Sequence, residues 1–204
     1  TLYQTYDHIV PTFLVYEVTK HEPLKENGKA VIGHYKYPLT KPLEYKRRAL
    51  PKFLEAPARL LKTDFTQSDL LGMHEAIKKS GIYDASLNMF KTSECLENET
   101  HEIGRIRAFT KGWLERESNF LHMNYKYLLG LISAGLYEEY YEAIKNNLTC
   151  FMDPSVYGRN TLENSSFIAP TNNPNHHIHG QGFFARLSGS TVETINMWAI
   201  MMTG

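Results

Sequence analysis

The chain has 204 residues, 42% of them hydrophobic and 22% charged, a balance that fits a globular core and argues against wholesale disorder. Lysine plus arginine and aspartate plus glutamate each number 22, and the resulting net charge of zero offers no electrostatic footprint for nucleic acid or an anionic membrane. Thirteen tyrosines, ten phenylalanines, two tryptophans and nine histidines supply flat faces with polar tips, suited to sugar rings as well as to ordinary packing.

Cys95 and Cys150 show no C-x-x-C spacing, so neither a zinc site nor a disulfide framework is indicated, and a reducing cytoplasm is the simplest setting. No apolar run approaches the roughly 20 residues of a membrane span. The opening "TLYQTYDHIV" lacks the basic and apolar regions of a signal peptide. A first residue other than Met and a final "WAIMMTG" that stops where a helix ends are what a piece of a longer chain would have.

Residues 1 to 50 mix aromatic and β-branched runs around "KENGKA", where Asn27 and Gly28 suit a hairpin turn, and are expected to be extended. "PKFLEAPARLLK" turns helical, although Pro51 and Pro57 keep that piece short. "TQSDLLGMHEAIKKSG" reads as a better helix, with Ser68 as cap, Leu70, Met73 and Ile77 as its stripe and Gly81 beyond its end. A long polar connection broken by Gly104 and Gly112 follows. Helices are then expected near 117 to 133, with Phe120, Tyr127, Leu128, Leu131 and Ile132 on one side, and over 136 to 147; "SAG" joins them as antiparallel neighbours. A second polar loop leads to "FFARLSGSTVE", residues 183 to 193. There Ser188 or Ser190 can cap a helix whose apolar positions are Val192, Ile195, Ala199 and Met202. Two polar loops, each feeding a helix, suggest a helical toroid with its site at one end.

Three stretches carry candidate chemistry. In "GWLERESNFLHMNYKYLLG", Trp113 offers a stacking face, Glu115, Arg116 and Glu117 bring charge to a helix mouth, and His122 can face the same mouth. Glu115 and Glu117, two apart, do not share a helical face, so a dipole-and-solvent role outweighs a catalytic pair. In "YGRNTLENSSF", Arg159, Glu163 and Asn164 can hydrogen-bond several hydroxyls, as could a loop sealed by its own side chains. At "LSGS" a helix start presents free N–H donors and Gly189 admits a ligand to the backbone, an anion cradle or an ordinary serine cap. His176, His177 and His179 in "NHHIHG" lack a carboxylate or thiolate at ligand spacing, so no metal is assigned. Asn98, Asn147 and Asn164 match the glycosylation pattern, which carries little weight without a secretory signal.

Taken together, "GRIRAFTKGWLERESNFLHMNYKYLLGLISAGLYEEYYEAIK", "DPSVYGRNTLENSSFIAP" and "HGQGFFARLSGSTVE" resemble the later part of the catalytic domain of inverting glycoside phosphorylases of the cellobiose phosphorylase-like family, nearest the 1,2-β-oligoglucan type. The likeness covers roughly residues 50 to 204. It implies a mainly α fold: residues 51 to 204 as the later part of an (α/α)6 barrel, incomplete and with long polar loops, preceded by an extended or β-containing segment over 1 to 50. It implies a glycosyltransferase acting on β-glucans, which cleaves the bond with inorganic phosphate to give α-glucose 1-phosphate, with no cofactor.

Phosphate is already an anion, so such a site needs donors rather than a general base. By resemblance these donors fall on His122 and on Ser188 with Gly189, with Ser190 beside them; Trp113, Glu115, Arg116, Arg159, Glu163 and Asn164 are the sugar candidates by chemistry and position. The family's acid is an aspartate upstream of the histidine, and nothing here matches its segment, so the chain is expected to carry the phosphate side without the proton donor. An incomplete barrel would expose helix faces and favour self-association, including a homo-oligomer. The partners implied are a β-glucan oligosaccharide and phosphate, with neither nucleic acid nor membrane. Alternative readings are the glucan-processing domain of a cyclic β-1,2-glucan synthase, a carbohydrate-binding helical module without turnover, and, weakest, an interaction scaffold.

Overall fold

The computed structural model describes residues 2–185 and 188–204, with the backbone alone at residues 2, 185 and 188. Two compact units emerge, Phe13–Leu50 and the remainder of the chain.

The Phe13–Leu50 unit is a hairpin arm. Strands β1 (Leu14–Pro23) and β4 (Thr40–Ala49) pair antiparallel from Leu14↔Ala49 to Pro23↔Thr40, with irregular register around Lys20. Between them β2 (Lys25–Glu26) and β3 (Lys29–Ala30) close on Asn27 and Gly28, both at positive φ (50° and 76°), as a two-residue hairpin turn requires. Glu17 pairs with Arg48, and Lys20 with Glu44 at 3.2 Å.

The larger unit opens with a short helix, α1 (Leu2–Thr5), then α2 (Glu55–Leu60) and α3 (Gln67–Lys78). Thr66, not Ser68, caps α3: its extended backbone aims Oγ1 at the Asp69 N–H, 3.2 Å away, while Ser68 already lies inside the helix. A small hairpin of β5 (Tyr83–Asp84) and β6 (Met89–Phe90) follows. Strand β7 (Asn119–Phe120) runs directly into α4 (Leu121–Ser133), and α5 (Tyr137–Asn147) returns beside it after a turn in which Gly135 takes φ 77°. Next come α6 (Pro154–Tyr157), β8 (Ser165–Ile168), β9 (Gly182–Ala185) and α7 (Ser188–Thr203).

Helix α4 is the hub. Leu121, Tyr125, Leu128, Leu131 and Ile132 are buried around much of its circumference, against α2, α5, α7 and β8. Gly130 permits the approach of α2, since a Cβ there would lie 2.8 Å from a Leu61 methyl. Leu70, Met73 and Ile77 of α3 and Tyr140 of α5 complete this core, where His74 Nδ1 meets the Tyr127 hydroxyl at 2.8 Å.

The expected mainly α, incomplete (α/α)6 barrel is not what forms. The fold is mixed, 38% helical and 22% strand, with several small antiparallel sheets. The physical reason lies in the polar loops. Within the second and just after it, the short apolar runs "SSFI" and "GFFA" pair as strands, and with β7 they make a three-stranded sheet ordered β7-β8-β9, in place of further helical hairpins.

Helix α7 also differs from its expected orientation. Val192, Ile195, Ala199 and Met202 point outward, while Met197 is buried and Ile200 and Met201 pack on the core. Both faces of this helix are apolar, so periodicity alone cannot choose between them. No helix among the described residues is long and apolar enough to cross a membrane.

Candidate functional site

The three-stranded sheet decides where two helices begin. Because β8 is antiparallel to both β7 and β9, those outer strands run in the same direction, and each feeds a helix at the same end of the sheet. Helices α4 and α7 therefore start side by side and pack on each other. The N-cap of α4, Phe120, provides no side-chain hydrogen bond, and neither helix carries an acidic residue in its first turn. The start of α4 thus keeps its partial positive charge of roughly half a unit without an acidic side chain to offset it.

His122 lies in the first turn of α4. A Cβ on Gly189 would lie 2.6 Å from His122 Cε1 and 2.7 Å from both ring nitrogens, so the imidazole lies face-on against the Gly189 backbone. Glu193, four residues after Gly189, places Oε1 3.9 Å from His122 Nε2. The imidazole is about one-third exposed. Burial chiefly, with Lys126 one turn further along α4, holds its pKa below the ordinary 6.5, while Glu193 pulls it back up. Ser190 is fully buried and belongs to the packing of α7 on the body of the unit. The Ser188 side chain lies outside the described residues.

An aromatic platform borders the same segment. Trp113 meets Phe183 at 4.7 Å and Phe167 at 4.9 Å between ring centroids, with Phe184 at 6.3 Å. Phe184 is 55% exposed and sits at φ 56°, a left-handed backbone that a bulky residue seldom adopts and that costs on the order of 1 kcal/mol. Its ring is thereby presented to solvent just before α7.

The remaining candidates are spent on structure to different degrees. Arg116 is 4% exposed. Its guanidinium donates to the carbonyls of Arg107 and Phe109 (3.0 and 2.7 Å), to Glu97 at 2.5 Å and to Glu117 at 3.3 Å. Glu117, also buried, accepts from the Leu96 N–H (3.1 Å) and from Asn172 (2.8 Å). This pair staples the first polar loop, whose helical turns at His101–Ile103 and Arg105–Arg107 are short. The hydrogen bond from Arg116 also holds the Glu97 carboxyl below its usual range.

Asn164 accepts from the Tyr125 hydroxyl (2.9 Å) and from Thr149 (3.1 Å), inside the body rather than toward a ligand. Glu115 pairs with Arg105 at 2.7 Å, and its Oε2 is buried without a hydrogen-bond partner. Arg159 pairs with Glu163 at 3.4 Å, and its Nε is likewise buried and unpartnered. Tyr157 donates to the Glu163 carbonyl, sealing this loop from within. In the histidine loop, His179 Nε2 bonds the Asn173 carbonyl at 2.8 Å, and the His176 and His179 rings lie 5.1 Å apart. No group of three or more metal-ligating side chains occurs among the described residues. Of the glycosylation-type asparagines, Asn147 is fully buried and bonds Asn88 and Ala143 carbonyls.

The structure therefore unites His122 with Gly189 and leaves Trp113 on a platform near the same segment, while Arg116 and Asn164 are structural. Sequence reasoning missed Glu193, Lys126 and Phe184. The signal for the first two was spacing: Glu193 follows Gly189, and Lys126 follows His122, by one helical turn. Phe184 left no such trace, because its exposure depends on its backbone angle. In comparisons with known proteins, no family model matches this chain and no curated protein matches it.

Proposed function

We propose that the surface where His122 meets the adjoining starts of α4 and α7 binds inorganic phosphate, and that this chain supplies the phosphate side of a site for phosphorolysis of β-glucosidic bonds, with short β-1,2-glucans as the favoured substrates. The observation that carries the reading is the His122 imidazole lying face-on against Gly189 where two helix N-termini adjoin. Free N–H groups and aligned dipoles favour an anion there, and the imidazole gains a proton when one arrives. A phosphate oxygen so held attacks the anomeric carbon from the face opposite the leaving oxygen. The C–O glycosidic bond breaks, and inversion yields α-glucose 1-phosphate. The leaving oxygen takes its proton from a carboxylic acid, a role not assigned to any residue of this chain.

Trp113, Phe183 and the exposed Phe184 give the sugar an aromatic surface beside the anion. The exposed free thiols Cys95 and Cys150 fit a reducing, cytoplasmic setting.

The test is calorimetric titration with phosphate and with a β-1,2-gluco-oligosaccharide, beside an assay for glucose 1-phosphate. Phosphate binding that His122→Ala weakens about tenfold to a hundredfold is the expected result. Binding of glucan indifferent to phosphate would replace this reading with a carbohydrate-binding module, and absence of phosphate binding would overturn it.

A further inference from the structure

The chain's zero net charge conceals a division between its two units. Phe13–Leu50 carries six lysines and two arginines against four glutamates, a net charge of +4, so the rest of a balanced chain carries −4. Basic residues on the arm alternate with exposed rings: Tyr16 and Tyr45 share a face of the β1/β4 ladder with Val18 and Arg47, and Tyr35 and Tyr37 lie near the tip, 82% and 76% exposed. A two-stranded hairpin of ten-residue strands, roughly 33 Å long, is marginal without a surface to cover it.

The larger unit offers a surface of matching character. On α5, Tyr137, Glu138, Tyr141 and Glu142 face solvent, and between α5 and α3 runs a groove floored by Leu71 and Leu136 and edged by Glu138 and Glu139. Glu75 of α3 lies on this side as well: with Glu139 and Glu142 it acts on the His74 imidazole. Lys78 is tied to Glu142 at 3.2 Å, while Lys79 and Lys145 stand at the C-terminal ends of α3 and α5, away from the end edged by Glu138 and Glu139.

We propose that the basic, tyrosine-rich arm of one copy docks on the acidic α3/α5 face of a second copy, and that the exchange is reciprocal, giving a closed dimer. Opposite charge on the two surfaces selects this pairing over arm-to-arm or face-to-face contact, both of which bring like charges together. Tyrosine rings on both sides supply contact area at little cost in side-chain entropy. Reciprocity doubles the buried area, which a stable interface of about 800 Å² per partner demands of so slender an arm.

The experiment combines sedimentation equilibrium with zero-length carbodiimide cross-linking of a mixture of isotope-labelled and unlabelled chains. The expected result is a species of twice the 23.5 kDa chain mass at low salt that dissociates as salt is raised. Cross-links should join arm lysines of one isotope to Glu75, Glu138, Glu139 or Glu142 of the other. Lys36→Glu with Arg47→Glu, or Glu75→Lys with Glu138→Lys, should each weaken the dimer by about tenfold or more. A chain that stays monomeric, cross-links confined within one isotope, or a dimer cross-linked elsewhere would overturn the proposal. So would a monomer held on a heparin matrix through Lys36 and Arg47, which would give the arm a polyanionic partner. Because the cross-links are read on the unmodified chain, the outcome does not depend on any variant folding.

Discussion

The Arg116–Glu117 cluster and the His122–Gly189 contact both lie close to the start of α4, and each includes an ionisable side chain. In the first, the guanidinium and both carboxylate oxygens of Glu117 are engaged and nearly removed from water. In the second, the imidazole is one-third exposed, its nearest carboxylate is 3.9 Å away, and the cap of α4 leaves backbone donors without a side-chain acceptor. A saturated cluster holds a loop in place, whereas an unsaturated one has bonding capacity left for a ligand.

The sharpest way to break that distinction is to disable the staple. Glu117→Ala leaves Arg116 buried with one carboxylate fewer and strips the Leu96 N–H of its acceptor, which should cost about 3–5 kcal/mol in urea unfolding. A loss below 1 kcal/mol would show that water takes over and that the cluster is not structural.

His122→Ala tests the His122–Gly189 contact in the opposite sense. Phosphate affinity should fall about tenfold to a hundredfold, the worth of one charge-assisted hydrogen bond, while stability changes little because the ring is partly in solvent. A large loss of stability with phosphate affinity unchanged would make His122 another structural residue.

Gly189→Ala separates the two effects within one residue. Alanine favours a helix by roughly 0.5–1 kcal/mol over glycine, yet its methyl would meet the His122 ring at 2.6 Å and push it aside. The melting temperature should hold or rise while phosphate affinity drops about tenfold; calorimetry and thermal unfolding on the same sample decide it.

The smallest expected effect is with pH, read with sulfate so that the probe keeps its charge. His122 has its pKa held below 6.5, so it is mostly neutral at pH 7 and gains its proton as pH falls through that lower value. Sulfate affinity should therefore rise several-fold on acidification below pH 6.5 in the wild type and stay flat in His122→Ala. A profile identical in both proteins would assign the anion to the helix starts alone.

Much of this molecule follows from its sequence by local rules. Asn27–Gly28 turn the hairpin, Leu70, Met73 and Ile77 line the buried side of α3, and the short "SAG" link sets α5 beside α4. The helix-start positions of His122 and Gly189 were legible too, through the local pattern. Such features depend on neighbours within a few residues, where dihedral preference and side-chain spacing act directly. Tertiary pairing decided the rest. Joining β8 to β9 turned an expected helical toroid into a mixed fold, packing on α4 chose which apolar side of α7 is covered, and burial converted Arg116 and Asn164 from candidate ligands into struts. The contact between His122 and Gly189 belongs to the same class, since only the shared direction of β7 and β9 brings two distant helix starts together. A sequence states what each segment prefers, while the free energy of burying one segment against another depends on partners that lie far away along the chain.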